Sequence, residues 1–452
     1  MRGWLTRIGV VLLLLVGGAV ALDRLFPPDL SRLASGVEVL DREGRTLNVL
    51  PATGGTWRLR TTTADVPPHL VELLVAAEDR RFRWHPGVDP IALARASVQW
   101  IRAGRVVSGG STLTMQAARL LEPRPRTLRS KLIEIARAIQ LELRFGKDEI
   151  LGIWLTLAPQ GGNIESLRAG SLAWFGRPSA RLEPAESALL VALARRPEAL
   201  RPDRHPEAAR AARDGVLAFR AGPHARLSAE DLALAAAVPV PSRRLALPRL
   251  APHLAREVAG DAGGPGRVRT PLDAQLQRTV EAIVAETLRG LPDRASLAIV
   301  VTELATRDVR ALVGGSWMEE GRAGAIDLTR AVRSPGSALK PFLYAMAFQD
   351  GIVTPRSVIS DLPVRYGSYA PENFDRGFAG RITAADALRM SLNIPAVALL
   401  DQVGALRFAS ALKAAGTPMR LPRGADPSLP LALGGAGATL RELTGRYAAL
   451  GA

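Results

Sequence analysis

Apolar residues change their spacing several times along this 452-residue chain. Residues 8–22 (IGVVLLLLVGGAVAL) form an uncharged run that is apolar on every side. Residues 36–60 alternate apolar and polar around Gly54-Gly55, the period of a short strand pair. From residue 68 to about 219 the period becomes helical. Leu128, Leu132, Ile135, Ile139 and Leu143 recur at about 3.6-residue spacing, residues 150–157 and 186–194 predict further helices, and Gly109-Gly110 and Gly161-Gly162 mark loops.

Residues 221–269 fill with Pro, Gly, Ala and Arg (VPVPSRRLALPRLAP, then GDAGGPGR) and read as a connector. Beyond it, residues 276–288 predict an amphipathic helix, 297–304 and 309–314 a hairpin, and helices and loops follow, a mixed α and β pattern. The expected division is a cytoplasmic stub and transmembrane anchor over 1–28, a helical domain over 29–220, a linker over 221–269 and a second domain over 270–452.

Composition narrows the class. With 47% hydrophobic residues the chain can bury two or three cores of ordinary size. Lys and Arg number 59 against 43 Asp and Glu, a net charge of +16. That surplus suits phospholipid headgroups, pyrophosphates or nucleic acid without choosing among them, and an Arg- and Ala-rich coding bias explains it equally well. The lack of Cys excludes disulfides, thiolate zinc sites and cysteine nucleophiles, and suits an oxidising compartment. The 5 His are scattered, without the spacing of a helical metal pair.

Arg2 and Arg7 precede the apolar run, which predicts a cytoplasmic N-terminus and an exported body. The run is short for a span of about 20 residues, with Trp4 and Phe26 as interfacial aromatics and Arg7 and Arg24 snorkelling. A signal peptide cleaved after Ala19-Val20-Ala21 is the alternative. Export and the lack of any nucleic-acid motif argue against a nucleic-acid partner.

In the helical half, Glu78 lies in AAEDRRFRWHPGVD, where Arg80, Arg81 and Arg83 make a basic field suited to an anionic substrate and to an ionised general base; a solvated glutamate in a charge cluster is the plainer reading. The segment 108–116, SGGSTLTMQ, offers backbone N–H and hydroxyl groups to phosphate or sugar oxygens. Arg124, Arg126, Arg129 and Lys131 follow, and Lys131 and Glu134 share one helical face away from the apolar stripe.

Five segments in order, EDRRFRWHPGVD, GGSTLTMQ, RSKLIE, KDEILGIWL and RRPEALRPDRHPEAARAARDGVL, resemble the motifs of the family 51 glycosyltransferase domain of class A penicillin-binding proteins over about residues 57–219. The resemblance implies a mainly α, lysozyme-like fold with a cleft between two lobes. It implies that Glu78 is the base that deprotonates the 4-hydroxyl of acceptor lipid II, and that Glu134 assists the departing lipid pyrophosphate directly or through a divalent cation such as Mg or Mn. Arg129 and Lys131 would neutralise that pyrophosphate, with Asp79, Arg81, Phe82, His85, Ser111, Thr112, Gln116, Arg137 and Lys147 binding substrate. Two residues depart from the family pattern. Met115 stands where Gln is frequent, as in the 1C type, and Thr156 replaces an Asn whose amide organises the loop after that helix.

In the second half, RSPGSALKPF places Ser337 and Lys340 three residues apart on an expected first helical turn, where an unprotonated lysine can take the serine proton and the helix N-terminus favours an oxyanion. RMSLNIPAV adds Ser391 as a proton relay and Asn393 as a hydrogen-bonding group. Behind a family 51 domain, these signatures resemble an α+β, serine β-lactamase-like transpeptidase of the penicillin-binding family, and GSYAPENFDRGFAG resembles its 1C type. The resemblance implies an acyl-serine at Ser337 formed from a D-Ala-D-Ala stem peptide, and β-lactams at the same serine.

The third signature of that family, K-T-G, is not found; Leu443-Thr444-Gly445 lies in RELTGRYAAL, which resembles the helix preceding the K-T-G strand. The expectation is an incomplete second domain with little or no transpeptidation. The expected whole is therefore a single-pass inner-membrane protein with periplasmic catalytic domains, a peptidoglycan glycosyltransferase acting on lipid II and nascent glycan strands alongside other cell-wall synthesis proteins. A noncatalytic penicillin-binding scaffold and a lysozyme-like glycan hydrolase are the alternatives; the basic RPRTLRSK stretch favours pyrophosphate over hydrolysis.

Overall fold

The computed structural model describes residues 18, 23–103, 110–219, 228–261 and 266–451. The apolar run at 8–22, Gly18 apart, and the first residues of the 108–116 loop lie outside them. Among the described residues no single helix is long and apolar enough to cross a membrane. The chain forms two compact units, Met1–Arg249 with Ala255–Thr270, and Leu250–Leu254 with Pro271–Ala452.

The first unit is mainly helical: α1 (Pro68–Glu78), α2 (Pro90–Ala103), α3 (Leu113–Leu121), α4 (Leu128–Arg144), α5 (Lys147–Leu157), α6 (Leu167–Phe175), α7 (Pro184–Leu193), α8 (Pro206–Ala218) and α9 (Ala229–Ala237), followed by α10 (Pro252–Asp261). Proline opens α1, α2, α7 and α8, where its missing N–H costs nothing. Thr112 and Thr127 cap α3 and α4 by accepting the Met115 and Ser130 N–H groups at 3.1 Å. Helix α7 is buried at residues 185 and 187–193 and shares one core with Leu70, Leu73 and Leu74 of α1 and Ile150, Leu151 and Trp154 of α5. That core fixes the C-terminal end of α1, where Glu78 stands.

Helix α4 reverses the usual arrangement. An amphipathic helix ordinarily turns its apolar stripe to a core. Here Leu128, Leu132, Ile139 and Leu143 are 79%, 61%, 40% and 63% exposed, and the buried face carries Ser130, Glu134, Ala138, Gln140 and Leu141.

Strands β1 (Val37–Leu40) and β2 (Thr46–Leu50) pair antiparallel. Their turn is at Asp41, whose carboxylate accepts the Glu43 and Arg45 N–H groups at 2.8 Å. The sequence pattern centres the pair on Gly54-Gly55, but there only a single bridge, Ala52 to Thr56, closes. The turn is closed by the Asp41 side chain and by Gly44 at φ 84°, and this single glycine in a charged segment is a weaker signal than Gly54-Gly55, which is why the alternation alone misplaces it. Strands β3 (Trp57–Arg58) and β4 (Ile164–Glu165) pair in parallel, and β5 (Gly266–Arg269) lies parallel to β1. The 221–269 stretch, expected as a connector, thus holds α9, α10 and β5. The arginines of β5 disguise it; Arg267 meets the Asp65 carboxylate at 2.7 Å.

At the Thr156 departure, the hydroxyl accepts the Thr61 N–H at 3.0 Å and donates to the Thr61 carbonyl at 3.1 Å, tying α5 to the segment after β3.

The second unit mixes α and β. It contains α11 (Ala274–Arg289), the antiparallel hairpin β6 (Ile299–Thr302) and β7 (Val309–Val313), α12 (Lys340–Gln349), β8 (Val358–Asp361) paired antiparallel with β9 (Gly380–Thr383), and α13 (Ala384–Arg389), α14 (Asn393–Val403), α15 (Ala405–Ala414) and α16 (Leu440–Gly451). Val280, Val284 and Leu288 of α11 pack on Ala311 and Val313 of β7. Leu343, Tyr344 and Ala347 of α12 pack on Ala396, Val397 and Leu400 of α14, bringing the two serine signatures together. Leu443-Thr444-Gly445 lies within α16.

Candidate active sites

The first site forms where α1 ends. Glu78 lines a cleft of about 370 Å³ with Asp79, Arg80, Arg81, Ser111 and Thr112. Gln116 Nε2 donates to Glu78 Oε2 at 2.9 Å, and Gln116 Oε1 accepts the Trp154 indole N–H at 3.1 Å. Arg195 Nε donates to the other oxygen, Glu78 Oε1, and Arg195 Nη2 to the Ala77 carbonyl at 3.0 Å. Across the cleft, Lys131 Nζ donates to Ser111 Oγ at 2.6 Å and to Glu134 Oε2 at 3.2 Å, with Glu134 buried. The expected shared face of Lys131 and Glu134 is therefore present, linked to the cleft through Ser111.

The remaining expected contacts divide. Asp79 is buried, accepting His85 Nε2 at 3.0 Å and the Leu113 N–H at 2.9 Å. Thr112 donates to the Gly87 carbonyl at 2.5 Å. Arg81 meets Asp89 at 2.7 Å; burial works to raise the Asp89 carboxyl, but the Ala92 N–H and the Arg81 guanidinium outweigh it and hold it below the ordinary range.

Four residues expected to bind substrate make framework contacts in this structure. Phe82 is fully buried and His85 nearly so. Lys147 donates to the His85 carbonyl at 2.6 Å and to Glu142 at 2.7 Å, with its ammonium 4.5 Å from the Phe82 ring centre. Arg137 donates to the Phe26 carbonyl at 2.5 Å and to Gln140 at 2.8 Å. Each has the charge or ring that a substrate contact needs, and each spends it on holding neighbouring segments together. Arg129 is exposed on α4. A divalent cation does not fit Glu134: its neighbour is an ammonium, and among the described residues no three His, Asp or Glu side chains gather to hold an ion.

The second site joins the two signatures of the C-terminal unit. Lys340, almost wholly buried, directs Nζ to the Ser391 carbonyl at 2.6 Å, Ser391 Oγ at 3.3 Å and Asn393 Oδ1 at 2.7 Å. Burial pushes its ammonium down from 10.5 to about 8. Ser337 is exposed on a 3-10 turn, Gly336–Leu339, so it precedes α12 rather than starting it. Pro341, at the second position of α12, favours helix only from that point on. Ser391 adopts φ 54°, a conformation that aims its carbonyl at Lys340.

Sequence reasoning missed two supports. Arg195 opens the last glycosyltransferase-like segment, and its position in RRPEAL was the available signal. Asn373 Oδ1 accepts the Asn393 N–H at 2.8 Å, and its Nδ2 donates to buried Asp361 at 2.9 Å. Asn373 lies in the PENFD segment, which marked the subtype but suggested no role.

Both regions match known protein families. Residues 44–219 match the Transglycosylase family and residues 297–424 the Penicillin binding protein transpeptidase domain. The chain belongs to the class A penicillin-binding proteins, which carry these two domains in this order. It is 41% identical to penicillin-binding protein 1C of Escherichia coli (strain K12) over 99% of this chain and 58% of that protein. It is 30% identical to penicillin-binding protein 1F of Bacillus subtilis over 82% of this chain and 53% of the relative, and 32% identical to penicillin-binding protein 1B of Vibrio cholerae over 80% and 50%. The chain thus spans little more than half the length of these relatives.

Proposed function

We propose that the first unit polymerises lipid-linked disaccharide into glycan strands. The observation that carries this reading is Glu78, half-buried in a cleft wall and held at both oxygens, facing a loop whose Ser111 is tied to Lys131. In the proposed step Glu78 takes the proton of the acceptor 4-hydroxyl as that oxygen bonds to the anomeric carbon of the growing chain. The bond from that carbon to the lipid pyrophosphate breaks, and its electron pair leaves with the pyrophosphate, whose charge Lys131, Arg129 and neighbouring arginines offset. Glu134 acts through Lys131, keeping the ammonium at the cleft.

The helical fold around one cleft supports a lysozyme-like architecture. The exposed stripe of α4 supports contact with a lipid surface, which the proposed inner-membrane location with periplasmic catalytic units requires. Four large apolar side chains on one helix face would be costly in water and favourable in a lipid interface. Beside them, Arg144 holds Asp23 at 2.8 Å and Arg137 holds the Phe26 carbonyl, so the chain following the apolar N-terminal run is tied to the same helix. Lipid II, nascent strands and other cell-wall synthesis proteins are the partners this reading implies.

For the second unit, the lowered Lys340 ammonium and its link to Ser391 and Asn393 support the serine-lysine arrangement of a penicillin-binding site, and the proposal for this chain is little or no transpeptidation at Ser337.

Incubation of the chain with purified lipid II in detergent, beside incubation with preformed glycan strands, separates polymerase from hydrolase. The proposal expects long strands from the first and no shortening of the second. Shortening without growth would support the hydrolase, and inertness of folded protein on both would support the scaffold.

A further inference from the structure

We propose that Arg195 is the positioning residue of Glu78, fixing the orientation of the carboxylate that the polymerising reaction uses as its base. This rests on the glycan-polymerising reading of the cleft and names a residue that the reading did not contain.

Glu78 is the last residue of α1, where the free carbonyls of the helix end disfavour a carboxylate. Arg195 answers this directly. Its Nε donates to Glu78 Oε1 while its Nη2 donates at 3.0 Å to the carbonyl of Ala77, the residue before Glu78. One guanidinium therefore spans both the side chain and the helix end that carries it. Gln116 holds the second oxygen at 2.9 Å and is itself held by Trp154 at 3.1 Å. With a donor on each oxygen, rotation of the carboxylate is blocked from both sides, leaving the remaining lone pairs for a proton.

The other end of the clamp is equally fixed. Arg195 follows the C-cap of α7, its N–H bonded to the Ala192 carbonyl at 3.2 Å, and a cation is favoured at that helix end. Helices α1 and α7 share one core, so the two helix ends keep their spacing. The contacts Arg195 makes at this end are to Glu78 and to the helix end that carries it, so the effect proposed for it passes through Glu78. A base displaced by about an ångström can lose about 100-fold in rate.

The test is steady-state polymerisation of lipid II by the full chain, comparing wild type, Arg195→Ala and Arg195→Lys, with thermal unfolding of each. Arg195→Ala is expected to lower kcat by about 10- to 100-fold with KM changed less than about 3-fold. Arg195→Lys, which keeps the charge but cannot span both acceptors, is expected to recover part of kcat. A raised KM at unchanged kcat would make Arg195 a substrate contact and overturn the proposal, as would wild-type kcat in Arg195→Ala. If Arg195→Ala fails to fold, Arg195→Lys decides by the same kcat and KM criteria. An inert wild type would refute the polymerising reading itself, and the inference with it.

Discussion

Asp79 and His85, six positions apart in a segment dense with charge, face each other in the interior with His85 Nε2 at 3.0 Å from Asp79 Oδ2. Asp79 also receives the first N–H of α3, from Leu113. The pair thus pins the loop after α1 to the start of α3, which sets Glu78 on one side of the cleft and Thr112 on the other. Replacement of Asp79 by Ala leaves two buried donors without an acceptor. The expected cost is about 2–4 kcal/mol, read as a lower denaturant midpoint for the first unit. An unchanged midpoint would mean that the pair braces nothing.

Lys340 gives a prediction with a definite sign. Its ammonium is lowered from 10.5 to about 8 by burial, so between those values the folded unit binds fewer protons than the unfolded chain. The stability contributed is therefore fully present above about 10.5, and it is lost as pH falls through about 8. Carbon-13 labelling of lysine ε-carbons should show one resonance titrating near 8 that disappears in Lys340→Met. A Lys340 resonance titrating above 10 would contradict the burial argument.

The α4 stripe predicts a membrane phenotype separable from folding. Leu132→Gln with Leu143→Gln changes two exposed side chains, so unfolding should move by no more than about 0.5 kcal/mol for each. Co-sedimentation with anionic phospholipid vesicles should fall several-fold, measured on chains lacking residues 1–22 so that the N-terminal run does not mask the effect. Equal sedimentation of variant and parent would remove the stripe from the membrane account.

The second site predicts a division between chemistry and support. Asn373→Ala removes the acceptor of the Asn393 N–H and leaves buried Asp361 without its side-chain donor. It should destabilise the second unit by about 1–3 kcal/mol, and the nuclear magnetic resonance signals of Lys340 should shift with it. An undisturbed Lys340 resonance would show that Asn373 does not organise Asn393.

The sequence was legible where a period or a motif reports on one local element. The 297–314 hairpin appears as β6 and β7, and the amphipathic 276–288 helix as α11, because alternation and 3.6-residue spacing directly encode a half-buried face. Ser337, Lys340, Ser391 and Asn393 were legible as types, and Lys340, Ser391 and Asn393 do meet. What periodicity could not supply was the direction a face takes. The α4 stripe has the spacing of a core helix, yet it faces outward because Ser130, Glu134 and Gln140 are wanted inside for the hydrogen bonds around the cleft and the N-terminal segment. Nor could it distinguish substrate contacts from framework. Arg137 and Lys147 have functional chemistry, but the Phe26 and His85 carbonyls, 111 and 62 residues away, claim them, while His85 is claimed by Asp79 six positions before it. Arg195 was hidden for the same reason in reverse, being 117 residues from Glu78.

The most direct test of the central claim is polymerisation of lipid II in detergent by wild type beside Glu78→Gln, with glycan lengths resolved on a gel and both proteins matched for folding. The account predicts long strands from wild type and a loss of about 100-fold or more in the variant, whose amide cannot take the acceptor proton. Strands of equal length and yield from Glu78→Gln would contradict it.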